Sequence, residues 1–377
     1  MKIIVATDSF KGSLTSIQAG EAIREGILKV YKKASVKVCS LADGGEGTAE
    51  TIIGATGGKM ITASVTGPLG KKVQAQYGIF NETAVIEIAS AAGLTLITQS
   101  ERNPLYTTTY GVGELILDAM SKGCREFIIG LGGSATNDGG VGMLQALGFS
   151  FLNSEGKNIG PGANGLSSLT FIKGTDLDLS DCKFYIACDV ENPLCGKNGA
   201  SYVYGPQKGA TPESVEKMDM WLASYGELTK KFNVGTDPDA PGAGAAGGLG
   251  FAFMSYLHGE FYRGTDLVIK ITGLEDVVKD CDMVITGEGR LDGQSVMGKA
   301  PMGVARLGKK YGKPVIAFAG SIGEGAELCN DHGIDAFFSV VKGPCAKEDA
   351  MAYENAYKNL QDTVEQVFRL IDDCKGR

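Results

Sequence analysis

The segment at 128–140, IIGLGGSATNDGG, constrains the fold of this chain more than any other stretch. It places five glycines and one carboxylate directly after a short apolar run. Glycine at this density lets the backbone adopt positive φ and lets a ligand approach exposed N–H groups. A strand that enters such a loop and continues into a helix, here 141–147, is typical of an anion-binding site. The Asn-Asp pair at 137–138 suggests that a metal ion or a hydroxyl is bound there as well as phosphate.

Composition indicates a globular protein with loops built around ligands. Glycine makes up 55 of the 377 residues, about twice the usual 7%. The glycines are clustered without a period, which excludes a collagen-like or low-complexity chain. The length suits two domains. A net charge of −8 disfavours nucleic acid or an anionic membrane as a partner, and no apolar run reaches the length of a membrane span.

Cysteine and histidine usage narrows the chemistry. The nine cysteines are scattered singly without a C-x-x-C pair, which argues against zinc and disulfides and favours a reducing compartment. The chain opens on a strand-like run rather than a signal peptide, so we expect a cytoplasmic protein. His258 and His332 lie outside the glycine-rich and acidic clusters. Any reaction must therefore depend on carboxylates, lysines, arginines and backbone amides.

Alternating strand-like and helix-like runs predict an α/β fold of two domains. Five strand-like runs lie near the chain ends, at 3–7, 36–41, 282–286, 314–319 and 336–340. With helices between them they predict a five-stranded parallel sheet. Residues 61–98 alternate like an antiparallel meander, and a helix-rich stretch with glycine-rich loops follows. We predict a discontinuous domain of 1–60 and 281–377, and an inserted α/β domain of 61–280.

Acidic residues recur where strand-like runs end: Asp8, Asp43, Asp189 and Glu288. Ligands bind outside the carboxyl ends of strands in open α/β sheets. Carboxylates gathered there need a cation, and Mg²⁺ with bound phosphates is the usual occupant. The alternative is that each residue caps the next helix or forms a turn.

Several polar loops offer groups that bind anions. Lys11, in a loop with Gly12 and Ser13 before a helix, can bind phosphate or a substrate carboxylate, or can be an ordinary surface lysine. Thr15 and Gln18 have the spacing of a capping box for that helix. The 242–250 segment is a second glycine-rich loop, which either approaches a nucleotide or serves as a hinge or as tight helix packing. The turn at 205–210 presents Lys208.

Two common nucleotide motifs do not explain these loops. The chain has no G-x-x-x-x-G-K-[ST], which excludes a P-loop. Residues 130–135 match G-x-G-x-x-A, but no acidic residue closes a second strand about 20 positions later, as a dinucleotide site requires. A nicotinamide-dependent dehydrogenase remains one alternative, and a non-catalytic small-anion sensor remains another.

Taken together, the motifs resemble those of the bacterial glycerate kinases of the first type. They are TDSFKGSLT at 7–15, ADGGEGT at 42–48, GLGGSATNDGG at 130–140, DVENPL at 189–194, GPQKGA at 205–210, GEGRLD at 287–292 and GKAP at 298–301. They occur in family order over nearly the whole chain, and only Thr7 and Lys197 depart from frequent prolines. The resemblance implies ATP-dependent, Mg²⁺-dependent phosphorylation of D-glycerate, by a flavodoxin-like parallel-sheet domain and an inserted mixed α/β domain.

Physical reasoning then assigns roles to residues. We expect Asp189, with Asp43 or Glu288, to hold Mg²⁺, and Asp8 or Asp189 to accept the proton of the glycerate hydroxyl. Lys11 and Arg290 would bind the glycerate carboxylate or the migrating phosphoryl group. The remaining expected substrate or nucleotide contacts are Ser9, Gly12, Ser13, Gly44, Gly45, Gly132, Gly133, Ser134, Asn137, Asp138, Lys208, Gly247 and Gly248.

Three questions stay open at this stage. Asn137 and Asp138 reach the Mg²⁺ of the nucleotide, contact the glycerate hydroxyls or brace the turn, and the sequence does not decide between these roles. The product is 2- or 3-phosphoglycerate, with 2-phosphoglycerate favoured. The oligomeric state is also open, a homodimer included.

Overall fold

The computed structural model describes residues 1–10 and 12–375. Their strands are β1 Lys2–Thr7, β2 Ser35–Ser40, β3 Lys59–Thr66, β4 Lys72–Phe80, β5 Thr83–Glu87, β6 Glu126–Gly130, β7 Ser150–Leu152, β8 Phe171–Lys173, β9 Lys183–Ala187, β10 Glu260–Tyr262, β11 Met283–Leu291, β12 Val315–Ile322 and β13 Ala336–Ser339. Their α-helices are α1 Ser16–Val30, α2 Thr48–Thr56, α3 Ala89–Ala92, α4 Tyr110–Ser121, α5 Val141–Ala146, α6 Gly162–Leu166, α7 Ala200–Tyr204, α8 Pro212–Phe232, α9 Ala245–Leu257, α10 Gly264–Thr272, α11 Leu274–Lys279, α12 Ala300–Lys310, α13 Leu328–Asp331, α14 Lys347–Met351 and α15 Tyr353–Lys375.

The chain folds into two compact units. The first unit is discontinuous and consists of Met1–Asp43 with Thr265–Arg377, and the second is Gly44–Gly264. The boundaries predicted from the sequence, 60/61 and 280/281, fall within β3 and just after α11. Helix α2 belongs with the second unit because it packs on β4 and β5, where Ile53 leaves room only for the hydrogen of Gly78.

The sheet of the first unit is parallel throughout, in the order β2-β1-β11-β12-β13. This is the flavodoxin-like order 2-1-3-4-5, and it confirms the predicted five-stranded parallel sheet. Helix α1 packs against α15 on one side of it. The predicted capping box opens α1, because the Thr15 hydroxyl accepts from the N–H of Gln18 and the Gln18 side chain accepts from the N–H of Thr15.

The main sheet of the second unit is mixed, in the order β10-β9-β6-β5-β4-β3. Strands β3, β4 and β5 are antiparallel, as predicted, while β5, β6, β9 and β10 run parallel. The predicted meander ends early, since residues 88–98 form helical turns after β5 rather than further strand. Each unit encloses its own apolar core.

Among the described residues no helix combines the length and the apolar character of a membrane span. The thiols of all nine cysteines are free.

Candidate functional site

Two acidic residues occur where the strand order of the first unit reverses, between β1 and β11. Asp8 follows β1, and its N–H donates to the carbonyl oxygen of Gly287 at 2.9 Å. Glu288 is the next residue of β11, so the two acidic residues end up on adjacent strands. Both are buried, with 8% and 6% of their surface exposed. This position is the switch point at which open α/β sheets bind ligands.

Glu288 lies within β11 rather than after it, which corrects the predicted strand end. The strand continues to Leu291, and Glu288 pairs with Ala319 of β12. Its carboxylate accepts a 2.6 Å hydrogen bond from the Ser295 hydroxyl and lies 3.4 Å from Nζ of Lys299. Burial raises the pKa of Glu288, and these two partners oppose the rise.

Lys299 was not among the predicted site residues. It is the N-cap of α12, and its ammonium also lies 3.5 Å from Asp292 Oδ1. The sequence did contain a signal, since GKAP at 298–301 places a lysine directly before a helix start with proline. The pattern alone did not show that Lys299 would reach back to Glu288.

The other predicted residues of the first unit lie in the loops after β1 and β2. The N–H of Ser9 donates to Asp8 Oδ1 at 2.7 Å. Gly12 has φ of +78° and is exposed, and Ser13 is half-buried. Lys11 lies outside the described residues, and its role stays a prediction. Asp43 follows β2 and is half-buried.

Arg290 lies two residues beyond Glu288 on β11. It is exposed and bonds Asp292 Oδ2 through Nε at 3.0 Å. A guanidinium that is exposed and held by a single carboxylate keeps donors available for a ligand. Its predicted role as a ligand of a carboxylate or phosphoryl group stays a prediction.

In the second unit the glycine-rich loop divides into an exposed part and a buried part. Gly132 and Gly133, just after β6, are exposed, whereas every residue from 134 to 140 is buried. Gly133 has φ of +77°, which favours glycine. The backbone that a ligand can approach is therefore the short turn at 132–133.

Asp138 is bonded inside the protein. Its carboxylate accepts from the N–H and the hydroxyl of Thr109, both at 2.9 Å, and from the N–H groups of Gly140 and Gly142 at 3.1 and 3.3 Å. Burial raises its pKa, and these hydrogen bonds oppose the rise. Since Gly140 is the N-cap of α5, Asp138 joins the loop to the start of that helix.

Asn137 and Lys208 are buried as well. The Asn137 amide donates to the Ser201 hydroxyl at 2.9 Å. Lys208 donates from Nζ to the Ser134 hydroxyl and to the Thr136 carbonyl oxygen. Of the three roles left open for Asn137 and Asp138, these contacts favour bracing the turn.

The second glycine-rich segment packs on the first. Residues 246–248 have three consecutive positive φ values. A Cβ on Gly247 would lie 2.0 Å from the Thr136 carbonyl oxygen, and one on Gly248 would lie 2.8 Å from Cα of Gly139. The N–H of Gly139 donates to the Gly247 carbonyl oxygen at 3.0 Å. These contacts favour the packing alternative for the 242–250 segment.

The loop that begins the second unit crosses the carboxyl ends of its parallel strands. A Cβ on Gly130, at the end of β6, would lie 2.3 Å from the Gly44 carbonyl oxygen, and one on Gly132 would lie 3.1 Å from Cα of Gly45. Asp189, two residues after β9, is exposed and accepts from the N–H of Gly264 at 3.1 Å. Gly44, Gly45, Gly132 and Asp189 thus lie around the same strand ends.

Glu87 is a second residue that the sequence reasoning missed. It ends β5, and its carboxylate accepts from the N–H of Ala49 in the first turn of α2 at 2.8 Å. Burial raises its pKa, and the N–H groups of Ala49 and Gly47 oppose the rise. Glu87 therefore holds the loop at 44–47 in place through its carboxylate. Its signal was an acidic residue at the end of a strand-like run.

The donor set suits a hard cation bound together with phosphate. Among the described residues no three Asp, Glu, His or Cys side chains are grouped as a preformed metal site. Mg²⁺ usually takes one or two carboxylates and completes its shell with waters and substrate phosphates. Carboxylates such as those of Glu288 and Asp43 in the first unit are suited to that kind of site.

Buried acidic residues at the switch point of a flavodoxin-like sheet, and glycine-rich turns at the strand ends of a second α/β unit, are typical of an α/β enzyme for small ligands. The glycerate kinase family model matches residues 3–372. The chain belongs to the glycerate kinase family, and it is a kinase.

Individual relatives agree over nearly the full length. The chain is 47% identical to a glycerate kinase of Bacillus subtilis (strain 168) over 371 residues, 97% of each protein. It is 47% identical to a glycerate 2-kinase of Escherichia coli (strain K12), over 96% of this chain and 95% of the relative. A crystal structure from Salmonella typhimurium LT2, described as a candidate glycerate kinase 2, superposes with a TM-score of 0.90 at 44% identity and covers both chains completely.

Proposed function

We propose that the protein transfers the γ-phosphoryl group of ATP, with Mg²⁺, to the 2-hydroxyl of D-glycerate. The observation that carries the proposal is the pair of buried carboxylates, Asp8 and Glu288, at the switch point of a chain that belongs to the glycerate kinase family. Phosphoryl transfer asks the protein for positioning and for charge stabilisation. Carboxylates, lysines and backbone amides are suited to both tasks.

The nucleotide phosphates are proposed to bind at the second unit. Gly132 and Gly133 are exposed, and backbone N–H groups in such a turn are suited to phosphate oxygens. The loop at Gly44 and Gly45 packs beside this turn. Ser134 lies directly behind the exposed turn. Asn137, Asp138, Lys208, Gly247 and Gly248 support this loop from inside, which is the role that their contacts favour.

Charge and proton handling are assigned to the acidic residues. Asp8 or Asp189 accepts the proton of the glycerate hydroxyl, and Glu288, Asp43 and Asp189 are the proposed oxygen ligands of Mg²⁺. When bound, Mg²⁺ neutralises charge on the phosphates. Lys11 and Arg290 are proposed to bind the glycerate carboxylate or the phosphoryl group. Lys299 adds a further positive charge, and it lies beside Glu288.

The choice of the 2-hydroxyl has support from one relative, the glycerate 2-kinase of Escherichia coli at 47% identity. The free, dispersed cysteines support a cytoplasmic location, since such thiols are typical of reducing compartments.

Phosphorus NMR of a mixture of the protein, D-glycerate, ATP and Mg²⁺ tests the proposal. We expect loss of the ATP γ-phosphorus signal and a new phosphomonoester signal whose coupling places it on C2. Omission of D-glycerate, or addition of excess EDTA, should abolish the product. Unchanged ATP would favour the anion sensor, and a signal coupled to the C3 protons would assign the 3-hydroxyl instead.

A further inference from the structure

The side chain of Lys208 is almost entirely buried. The residue ends a 3₁₀ turn, Pro206–Lys208, and only 2% of its surface is exposed. The turn is pressed against a neighbouring segment, because a Cβ on Gly209 would lie 2.2 Å from the Arg102 carbonyl oxygen. A lysine is rarely buried to this degree.

The partners of this ammonium are neutral. Nζ donates to the Ser134 hydroxyl at 2.8 Å and to the Thr136 carbonyl oxygen at 2.7 Å, across 74 and 72 residues of sequence. It forms no ion pair with a carboxylate of the described ranges. Burial lowers the pKa of Lys208 to about 7, while the charge of Asp138 opposes the shift. The protein therefore accepts a costly buried charge at this position.

The contacts of Lys208 fix the part of the loop that follows the exposed turn. Two further bonds hold the same stretch, since Thr107 donates to the Ala135 carbonyl oxygen and the N–H of Ala135 donates to that of Ala92, both at 2.8 Å. Lys208 differs from these partners because it brings a positive charge. Its charge lies behind the turn at 132–133, where the proposed function places phosphate.

We propose that Lys208 is a positioning residue for nucleotide binding, which holds Ser134 and Thr136 in place and adds positive potential behind the Gly132–Gly133 turn without touching the ligand. The inference rests on the proposed function. It also distinguishes Lys208 from a lysine that binds phosphate directly, since such a lysine must be exposed to the ligand.

The test compares Lys208→Met, which removes charge and donors, with Lys208→Gln, which keeps a donor but loses the charge. The exposed Lys217 of α8 supplies the matched control Lys217→Met. Calorimetry with ATP and Mg²⁺, and separately with D-glycerate, gives the two dissociation constants. Charged hydrogen bonds of this kind correspond to an affinity loss of about 10- to 100-fold, which we expect for ATP in K208M, with a smaller loss in K208Q and none for D-glycerate.

The pH dependence supplies a readout that a merely structural lysine would not change. The protonated ammonium attracts the nucleotide, so the affinity of the wild type should be highest below pH 7 and should fall as the pH rises through about 7. The same dependence should be absent in K208M and K208Q. Lys217→Met should retain the wild-type affinity and its pH dependence.

Stability gives an independent check of folding. The pKa of Lys208 is lower in the folded protein than the ordinary lysine value of 10.5, so the folded state binds fewer protons between about pH 7 and 10.5. Unfolding free energy should therefore rise with pH across that window in the wild type, and this rise should be missing in K208M. Urea unfolding of the wild type and of K208M across this pH window measures the difference.

Two results would overturn the inference. One is an unchanged dissociation constant for ATP in the folded fraction of K208M or K208Q, and the other is a loss confined to D-glycerate. Turnover by the wild type in the phosphorus NMR experiment tests the proposed function separately from the role of Lys208. A wild type that phosphorylates D-glycerate, with variants that bind ATP normally, leaves the function intact and removes only the role of Lys208.

Discussion

Gly247 and Gly57 have nearly the same left-handed backbone, with φ of +73° and +71°, in very different surroundings. A Cβ on Gly247 would meet the carbonyl oxygen of Thr136 at 2.0 Å, whereas a Cβ on Gly57, at the C-terminus of α2, would meet nothing within 4 Å. The pair therefore separates the cost of backbone strain from the cost of close packing between the two glycine-rich segments.

We expect Gly57→Ala to lower the free energy of unfolding by about 1–2 kcal/mol, because alanine is strained at positive φ. Gly247→Ala should lose a further ~1–3 kcal/mol from overpacking and should weaken ATP binding, since it displaces the 130–140 loop. Urea unfolding and calorimetry measure both effects. Equal losses for the two variants would show that the contact with Thr136 relaxes without cost.

At the scale of secondary structure elements, α2 depends on a carboxylate from another element. Its N-cap is Gly47, which offers no side chain, and Glu87 of β5 accepts the N–H of Ala49 instead. Ala49 is buried, with 3% of its surface exposed. Its N–H has little access to water, so the helix start and the Gly44–Gly45 turn rely on Glu87.

Glu87→Ala should therefore destabilise the protein by about 1–3 kcal/mol, the cost of an unsatisfied buried donor. Glu87→Gln keeps an acceptor oxygen and should lose much less. The exposed Glu82, in the turn between β4 and β5, provides Glu82→Ala as the control. Urea midpoints rank the three variants, and a loss as large for Glu82→Ala would argue against a specific role of the Glu87 carboxylate.

At the scale of the whole molecule, each unit has its own apolar core. The core of the second unit draws all its members from within 44–264, and in it Phe127 stacks on Phe184, which packs against Phe253 at a tilt. A segment with a complete core and a continuous chain meets the usual conditions for independent folding.

We predict that a fragment of 44–264 unfolds in a single cooperative transition and keeps an α/β circular dichroism spectrum. A fragment of 61–280, cut at the boundaries that the sequence indicated, lacks α2 and exposes the surface of β4 that Ile53 covers. It should be less stable and should bind a hydrophobic dye. Equal stability of the two fragments would place α2 outside the second domain.

Local sequence patterns predicted much of the fold. Alternating strand-like and helix-like runs were enough for the five-stranded sheet of the first unit, because parallel strands joined by helices have few arrangements. The capping box at Thr15 was also predictable, since both partners are three residues apart. The end of β11 was not, because the glycines at 287 and 289 resemble a loop, whereas Gly287, Glu288 and Arg290 pair with β12.

The sequence by itself determined where glycine and carboxylates follow strands, because those signals lie within a few consecutive residues. Only the tertiary structure decided which of these groups face a ligand. It exposes Gly132 and Gly133, buries Asp138 and Lys208, and brings Lys299 to Glu288. The physical reason is that burial depends on the packing of segments far apart in the chain, as the 74-residue separation of Ser134 and Lys208 illustrates.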